Sequence, residues 1–147
     1  MKTNGYKVVS DILYGSITTF AGLNAIKSNC SSQTVLCAGG AAVGSDNLLL
    51  VSCGNCLSVL NPTLKNQPVL NNGAYWYFSD LQSFGFSPIY NITQFQADTF
   101  DCVGGYSNCP DNTRLSWHLL GHVGGWRLGK LTHLNSNINY RKIIFLK

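Results

Sequence analysis

Glutamate is absent from this chain of 147 residues, and charged side chains make up only 11% of it. Glutamate is a strong helix former, whereas the Asn, Asp, Ser and Gly that supply most of the polarity here favour turns. Long hydrophobic runs are also missing, since none approaches the roughly 20 apolar residues that cross a membrane. These absences argue against a helical protein and against a membrane-spanning one.

A continuous basic stripe is missing as well. Ten Lys and Arg against six acidic residues leave a net charge of +4, and six of the basic residues fall in the last quarter of the chain. They are spaced too widely to form the basic patch that nucleic acids require. We therefore expect no nucleic-acid partner.

Short apolar runs dominate what is present, and Gly, Asn, Pro or Asp separate them. This spacing predicts an all-β fold, an antiparallel β-sandwich or jelly roll stabilised by disulfides, in a single domain over 1–147. The predicted strands are 7–14, 16–20, 34–43, 47–52, 56–60, 74–79, 83–87, 113–119, 124–129 and 140–146. The segment "ITTFAGLNAIK" has some helical character, but Gly22 and its threonines weaken that interpretation.

Six cysteines and two glycosylation sequons, at Asn29 and Asn91, predict a secreted glycoprotein that folds in an oxidising compartment. We expect all six cysteines to be oxidised, with Cys102 bonded to Cys109. The remaining four should pair among themselves, which allows three connectivities. These four are Cys30, Cys37, Cys53 and Cys56.

The "CGNC" segment has the CxxC spacing of redox sites and zinc knuckles. A redox site needs a following helix, and "LSVLNPT" is instead predicted to be a strand. A Cys53–Cys56 bond would be strained in an extended strand, so we favour a bond from Cys30 or Cys37 to this segment.

The stretch "RLSWHLLGHVGGWRLG" concentrates two Trp, two His and two Arg in sixteen residues. Strand alternation places Leu115, Trp117 and Leu119 on one face, and Arg114, Ser116 and His118 on the other. Trp126 and Leu128 should share a face, with Arg127 opposite. If the two runs pair as a hairpin, both tryptophans join the core, and the arginines share a polar face with His118.

The aromatic run "AYWYFSDLQSFGF" should likewise present one face to the core. Either the Tyr75 and Tyr77 pair or the Trp76 and Phe78 pair lies outward, where aromatic rings can stack on sugars. The predicted ligand-binding residues are Arg114, His118, Arg127, Trp76, Tyr75 and Tyr77.

Catalytic and metal-binding patterns are weak. No paired carboxylates, GxSxG elbow or phosphate-binding glycine loop is present, so we expect a protein that is not an enzyme and has no cofactor. Three carboxylates, Asp98, Asp101 and Asp111, form a weak calcium candidate without EF-hand spacing.

Residues 73–147 carry, in order, "YWYF", "SFGFSP", "ADTFD", "RLSWHL", "GGWRLG", "LNSN" and "YRKIIF". This series resembles a recurring β-rich module of extracellular, multi-domain invertebrate proteins. His118 with the later Arg141 is also similar to the His and Arg motif of F-type fucose-binding lectins, although the Arg-x-Asp of that motif is missing. By analogy, the resemblance implies glycan binding.

Two functions follow as hypotheses. The first is a secreted, lectin-like recognition module whose partner is a glycan or glycoprotein. The second is a self-assembling subunit of an extracellular filament, sheath or matrix, whose partners are copies of itself. Residues 1–15 are the candidate assembly or edge segment, because unpaired strand edges add to neighbouring sheets.

Overall fold

The computed structural model describes residues 4–64, 67–80, 82–88 and 111–147. Within these residues the fold is mostly β, with 43% strand and 14% helix, and its strands form two antiparallel sheets. The prediction is confirmed to the extent that the fold is mostly β and antiparallel.

The four-stranded sheet has the order β1-β9-β2-β3. Its strands are β1 (Lys7–Leu13), β2 (Val35–Ala42), β3 (Leu48–Asn55) and β9 (Tyr140–Leu146). The C-terminal strand β9 therefore lies between β1 and β2, and its residues Ile143, Ile144 and Phe145 are buried. Burial on both faces explains why this segment is an almost continuous apolar run.

The five-stranded sheet follows the chain as β4-β5-β6-β7-β8. Its strands are β4 (Val69–Asn71), β5 (Ala74–Ser79), β6 (Ser83–Ser87), β7 (Leu115–His118) and β8 (Arg127–Leu128). The three-residue strand β4 was not predicted from the sequence, because a segment that short shows no alternation.

One hydrophobic core is shared by both sheets. Trp76, Phe84 and Trp117 of the five-stranded sheet belong to the same cluster as Leu36 and Ile144 of the four-stranded sheet. We call the face of each sheet that points away from this cluster its outer face. A second, smaller cluster lies on the outer face of the four-stranded sheet.

Two predicted strands are wrong. Residues 16–19 form no strand and helix α1 (Phe20–Ile26) begins at the end of the predicted range 16–20, while helix α2 (Cys56–Val59) stands in place of the predicted strand 56–60. Both begin with a side-chain cap: Thr19 Oγ1 accepts from Gly22 N, and Asn55 Oδ1 accepts from Ser58 N. The caps satisfy otherwise orphaned N–H groups and outweigh the weak helix propensity of both segments.

Two disulfides, Cys30–Cys56 and Cys37–Cys53, connect the early part of the chain to the "CGNC" segment. Cys37 and Cys53 are direct partners across β2 and β3, while the other bond ties the end of the α1 region to α2. The expectation that these four cysteines pair among themselves, across to "CGNC", is confirmed. Cys102 and Cys109 lie outside the described residues, so their bond stays a prediction.

Tyr14 joins the two sheets just after β1. Its fully buried side chain donates a hydrogen bond to the backbone oxygen of Arg127 at 2.5 Å and accepts one from Trp117 Nε1 at 3.0 Å. The hydroxyl thus satisfies one polar group in each strand of the β7–β8 pair.

Replacing Tyr14 with Phe should lower the free energy of unfolding by about 1–3 kcal/mol, because two buried polar groups lose their partner. Urea denaturation measures the change. Tyr140→Phe is the matched control, since the Tyr140 hydroxyl has no hydrogen bond among the described residues and its loss should change stability little. Equal effects of the two substitutions would contradict the bridging role of Tyr14.

Candidate functional site

The hairpin predicted around "RLSWHLLGHVGGWRLG" is confirmed. β7 and β8 pair antiparallel, with Leu115 opposite Leu128 and Ser116 opposite Arg127. Leu115, Trp117 and Leu128 enter the main core. Arg114, Ser116 and His118 consequently lie on the outer face of the five-stranded sheet.

Trp126 departs from the predicted face. Its backbone N–H donates to Ser116 O, although the strand register pairs Ser116 with Arg127. Trp126 and Arg127 thus both lie opposite Ser116, which is the pattern of a β-bulge. A bulge can turn a side chain to the other face of the sheet. Trp126 therefore packs on the His118 ring instead of entering the main core with Leu128. Its burial was predicted correctly, but its face was wrong.

The polar outer face is itself buried. Arg114, Arg127 and His118 are only 0%, 2% and 5% exposed. One guanidinium nitrogen of Arg127 donates to Gly129 O at 3.1 Å. The polar face predicted for these three residues is therefore enclosed, and it is not a surface open to solvent. Ligand contact by the two arginines stays a prediction.

The aromatic strand β5 resolves the alternative left open by alternation. Trp76 and Phe78 point into the core, so Trp76 is not an exposed platform, and its Nε1 donates to Asn71 O. Tyr75 and Tyr77 lie on the outer face. Tyr77 is buried and donates to Leu115 O at 2.7 Å, whereas Tyr75 is half-buried.

A group of rings forms at the end of β7. The rings of His118 and Trp126 stack with centroids 5.8 Å apart, and the exposed His133 meets Trp126 edge-on at 4.3 Å. His118 Nδ1 lies 2.9 Å from Asn135 Oδ1. Burial lowers the pKa of His118, against the opposing effect of the Asn135 hydrogen bond, and nearby His122 lowers it further. His118 is therefore neutral at physiological pH.

Four buried polar atoms around this group have no hydrogen-bond partner: Ser83 Oγ, Ser116 Oγ, His118 Nε2 and Trp126 Nε1. We call these four residues the His118 cluster. A buried polar atom left unpaired costs on the order of 1–3 kcal/mol, and most such atoms in proteins have a partner. Four such atoms on neighbouring residues leave hydrogen-bonding capacity here that the fold does not use.

His118 and Arg141, the pair in the F-type lectin analogy, lie in different sheets. Arg141 is in β9, where its guanidinium bonds Asp11 at 2.6 Å and Ser45 O at 2.6 Å. The fold therefore does not bring this histidine and this arginine into one site.

Lys142 was missed by the sequence analysis. It is 1% exposed, and its Nζ donates to Ser16 O, Thr18 Oγ1 and Gly124 O at 2.5–2.6 Å. Burial lowers its pKa to about 7. Strand alternation offered the signal, since Lys142 shares a face with the core residues Ile144 and Leu146.

Several candidate residues fall outside the described residues: Asp98, Asp101 and the sequon Asn91. Asp111 begins a 3-10 turn, and Asn29 is exposed at the end of another. Within the ranges that the structure covers, no group of three metal-ligating side chains is found, and no helix is long and apolar enough to span a membrane.

The chain matches no known family model, and no curated protein or solved structure matches it. Function is therefore inferred from the side chains themselves.

Lys142 makes stability depend on pH. Its folded pKa of about 7 lies below the unfolded value of 10.5, so between these pH values the unfolded chain binds more protons. The free energy of unfolding should therefore rise by about 2 kcal/mol from pH 7 to pH 9, and this rise should be absent in Lys142→Met. Urea denaturation of both proteins at each pH tests this. If the free energy of unfolding of wild type and of Lys142→Met changes with pH in the same way, the three oxygen acceptors keep Lys142 charged and the prediction is wrong.

Proposed function

We propose that this protein is an extracellular, non-enzymatic recognition module that binds glycans at the end of the five-stranded sheet. The two sheets on one core correspond, in this proposal, to a β-sandwich. We favour the sandwich over the jelly roll because β4 to β8 follow one another as a meander.

The observation that carries this proposal is the stacked and edge-on ring arrangement of His118, Trp126 and His133. Aromatic rings pack against the C–H faces of sugars, and neutral polar groups beside them bond hydroxyls. His133 is exposed, and the chain on either side of Trp126 returns to the surface at His122 and Lys130. A ligand can thus contact the exposed His133 ring from solvent, while the Trp126 and His118 rings, 8% and 5% exposed, lie behind it.

The extracellular assignment is supported by the two disulfides, which are typical of proteins that fold in an oxidising compartment. The exposed sequon residue Asn29 is consistent with it, because glycans attach to accessible asparagines.

We expect the full chain to bind a subset of a glycan array at physiological salt. His133→Asn should weaken that binding about fivefold to tenfold, because one ring contact is lost. Asn tolerates the positive φ of 59° at this position. His122→Asn, at an exposed histidine that stacks on neither ring, is the matched control. No binding to any glycan, with or without calcium, would contradict the proposal.

A second candidate, self-association, is favoured by the edge strand β3. Leu49 and Val51 of β3 are 55% and 41% exposed, and Leu48–Asn55 contains no charge. The opposite edge strand, β1, carries Lys7 and Asp11 and a register shift between Val8 and Ser10. Charges and bulges protect sheet edges from pairing, so β3 is the less protected edge.

The candidate contact for self-association is therefore β3 and not residues 1–15. The N-terminal segment supplies β1 and the buried Tyr14, so its removal would damage the fold. Pairing of β3 with β3 of a second copy closes after two subunits, whereas a filament needs a second, different contact.

Light scattering of the full chain at increasing concentration tests this second function. Val51→Lys should shift the protein towards monomer, because a charge on the edge opposes strand pairing. Ile138→Lys, at an exposed aliphatic residue outside the strands, is the control. A wild-type protein that stays monomeric at high concentration would remove this candidate.

A further inference from the structure

The His118 cluster, Ser83, Ser116, His118 and Trp126, occupies neighbouring positions on one sheet face. Ser83 is the direct partner of His118 across β6 and β7. Ser116 precedes His118 by two residues on the same strand face, and Trp126 N donates to Ser116 O. The four residues that carry unpartnered atoms are therefore neighbours on this face of the sheet.

The hydrogen-bonding character of these atoms is mixed and uncharged. Asn135 Oδ1 is an acceptor, so His118 Nδ1 carries the proton and Nε2 presents a lone pair. Trp126 Nε1 is only a donor, while the hydroxyls of Ser83 and Ser116 both donate and accept. The cluster therefore offers one acceptor (His118 Nε2), one donor (Trp126 Nε1) and two hydroxyls (Ser83 and Ser116). A ligand group that both donates and accepts hydrogen bonds complements these atoms, and a hydroxyl is such a group.

The cluster lies at the boundary between the sheet and solvent. Ser83 begins β6 and His118 ends β7, so their pair is the last one at this end of the sheet. Asp80, Gly121 and His133 nearby are exposed. A ligand held at the His133 ring is next to the Trp126 ring of the cluster, because these two rings are in edge-on contact.

We propose that the His118 cluster is a subsite for one hydroxyl group of a neutral polyol such as a sugar. The hydroxyl donates to His118 Nε2 and accepts from Ser83 Oγ or Trp126 Nε1. This inference rests on the proposed glycan-binding function, and it adds the atoms that select the ligand. A site built to bond a hydroxyl discriminates strongly against an analogue that lacks it, because its own polar atoms are then left unpaired.

Two substitutions at one position separate the atoms of the imidazole. His118→Asn keeps an amide near the Nδ1 position and the hydrogen bond to Asn135, but it has no atom at the Nε2 position. His118→Gln reaches the Nε2 position with its amide. The probes are the methyl glycosides of mannose, galactose, fucose, glucose and N-acetylglucosamine, and affinity is measured by calorimetry on the full chain.

For the glycoside that wild type binds most tightly, we expect His118→Asn to lose at least tenfold in affinity and His118→Gln to stay within about threefold. One monodeoxy analogue of that glycoside should bind wild type at least tenfold more weakly, and His118→Asn should not distinguish it from the parent sugar. Ser83→Ala should weaken binding, while Ser10→Ala on β1 should not.

The outcomes separate the subsite from the wider function. If wild type binds a glycoside and His118→Asn binds it equally well, the subsite is wrong and glycan recognition stands. If both substitutions lose affinity equally, His118 acts by stacking on Trp126, which also overturns the subsite. If wild type binds none of the probes, both proposals fall.

Thermal melts check that each variant folds. If His118→Asn does not fold, ¹⁵N spectra of the wild-type imidazole decide the matter. Addition of the glycoside should shift the His118 Nε2 signal, because that nitrogen becomes a hydrogen-bond acceptor. An unchanged Nε2 signal in the presence of bound glycoside would overturn the subsite.

Discussion

The contact between Tyr14 and the β7–β8 pair is the constraint on which the rest of the structure depends. Tyr14 directly follows the first strand of one sheet and bonds Trp117 and the Arg127 backbone in the other. A Cβ on Gly125 would fall 2.6 Å from Tyr14 Cδ1, so the chain before Trp126 must be glycine to approach this closely. The same approach positions Gly124 O for Lys142 and directs Trp126 towards His118.

Scarcity of charge shapes how this protein buries polar groups. Lys142 is enclosed by two backbone oxygens and one hydroxyl, and His118 by an amide, so neither has a carboxylate partner among the hydrogen bonds of the described residues. Neutral partners do not offset desolvation as a carboxylate would, and the pKa of both groups is lowered accordingly. An uncharged imidazole with a free lone pair on Nε2 suits a neutral ligand. The scarcity of carboxylates in the composition is thus one reason why the proposed site is suited to a neutral ligand.

Alternation along single strands was the most reliable guide to local structure. It assigned Leu115 and Trp117 to the core and Arg114 and His118 to the opposite face. It failed at α1 and α2, where the side-chain caps of Thr19 and Asn55 decided the outcome, and at Trp126, where a bulge turned the residue to the other face. Each of these three wrong predictions depends on a single hydrogen bond, and a hydrophobic pattern carries no information about such a bond.

By itself, the sequence determined the β-rich class, the core face of each long strand and the restriction of four cysteines to bonds among themselves, because these depend on side-chain type and spacing. Only the tertiary structure decided that Cys30 bonds Cys56, that Ser83 lies opposite His118, and that the polar face of the five-stranded sheet is enclosed. These features depend on residues far apart in the chain. Strand order and register bring such residues together, and no local pattern encodes which distant partner a strand will meet.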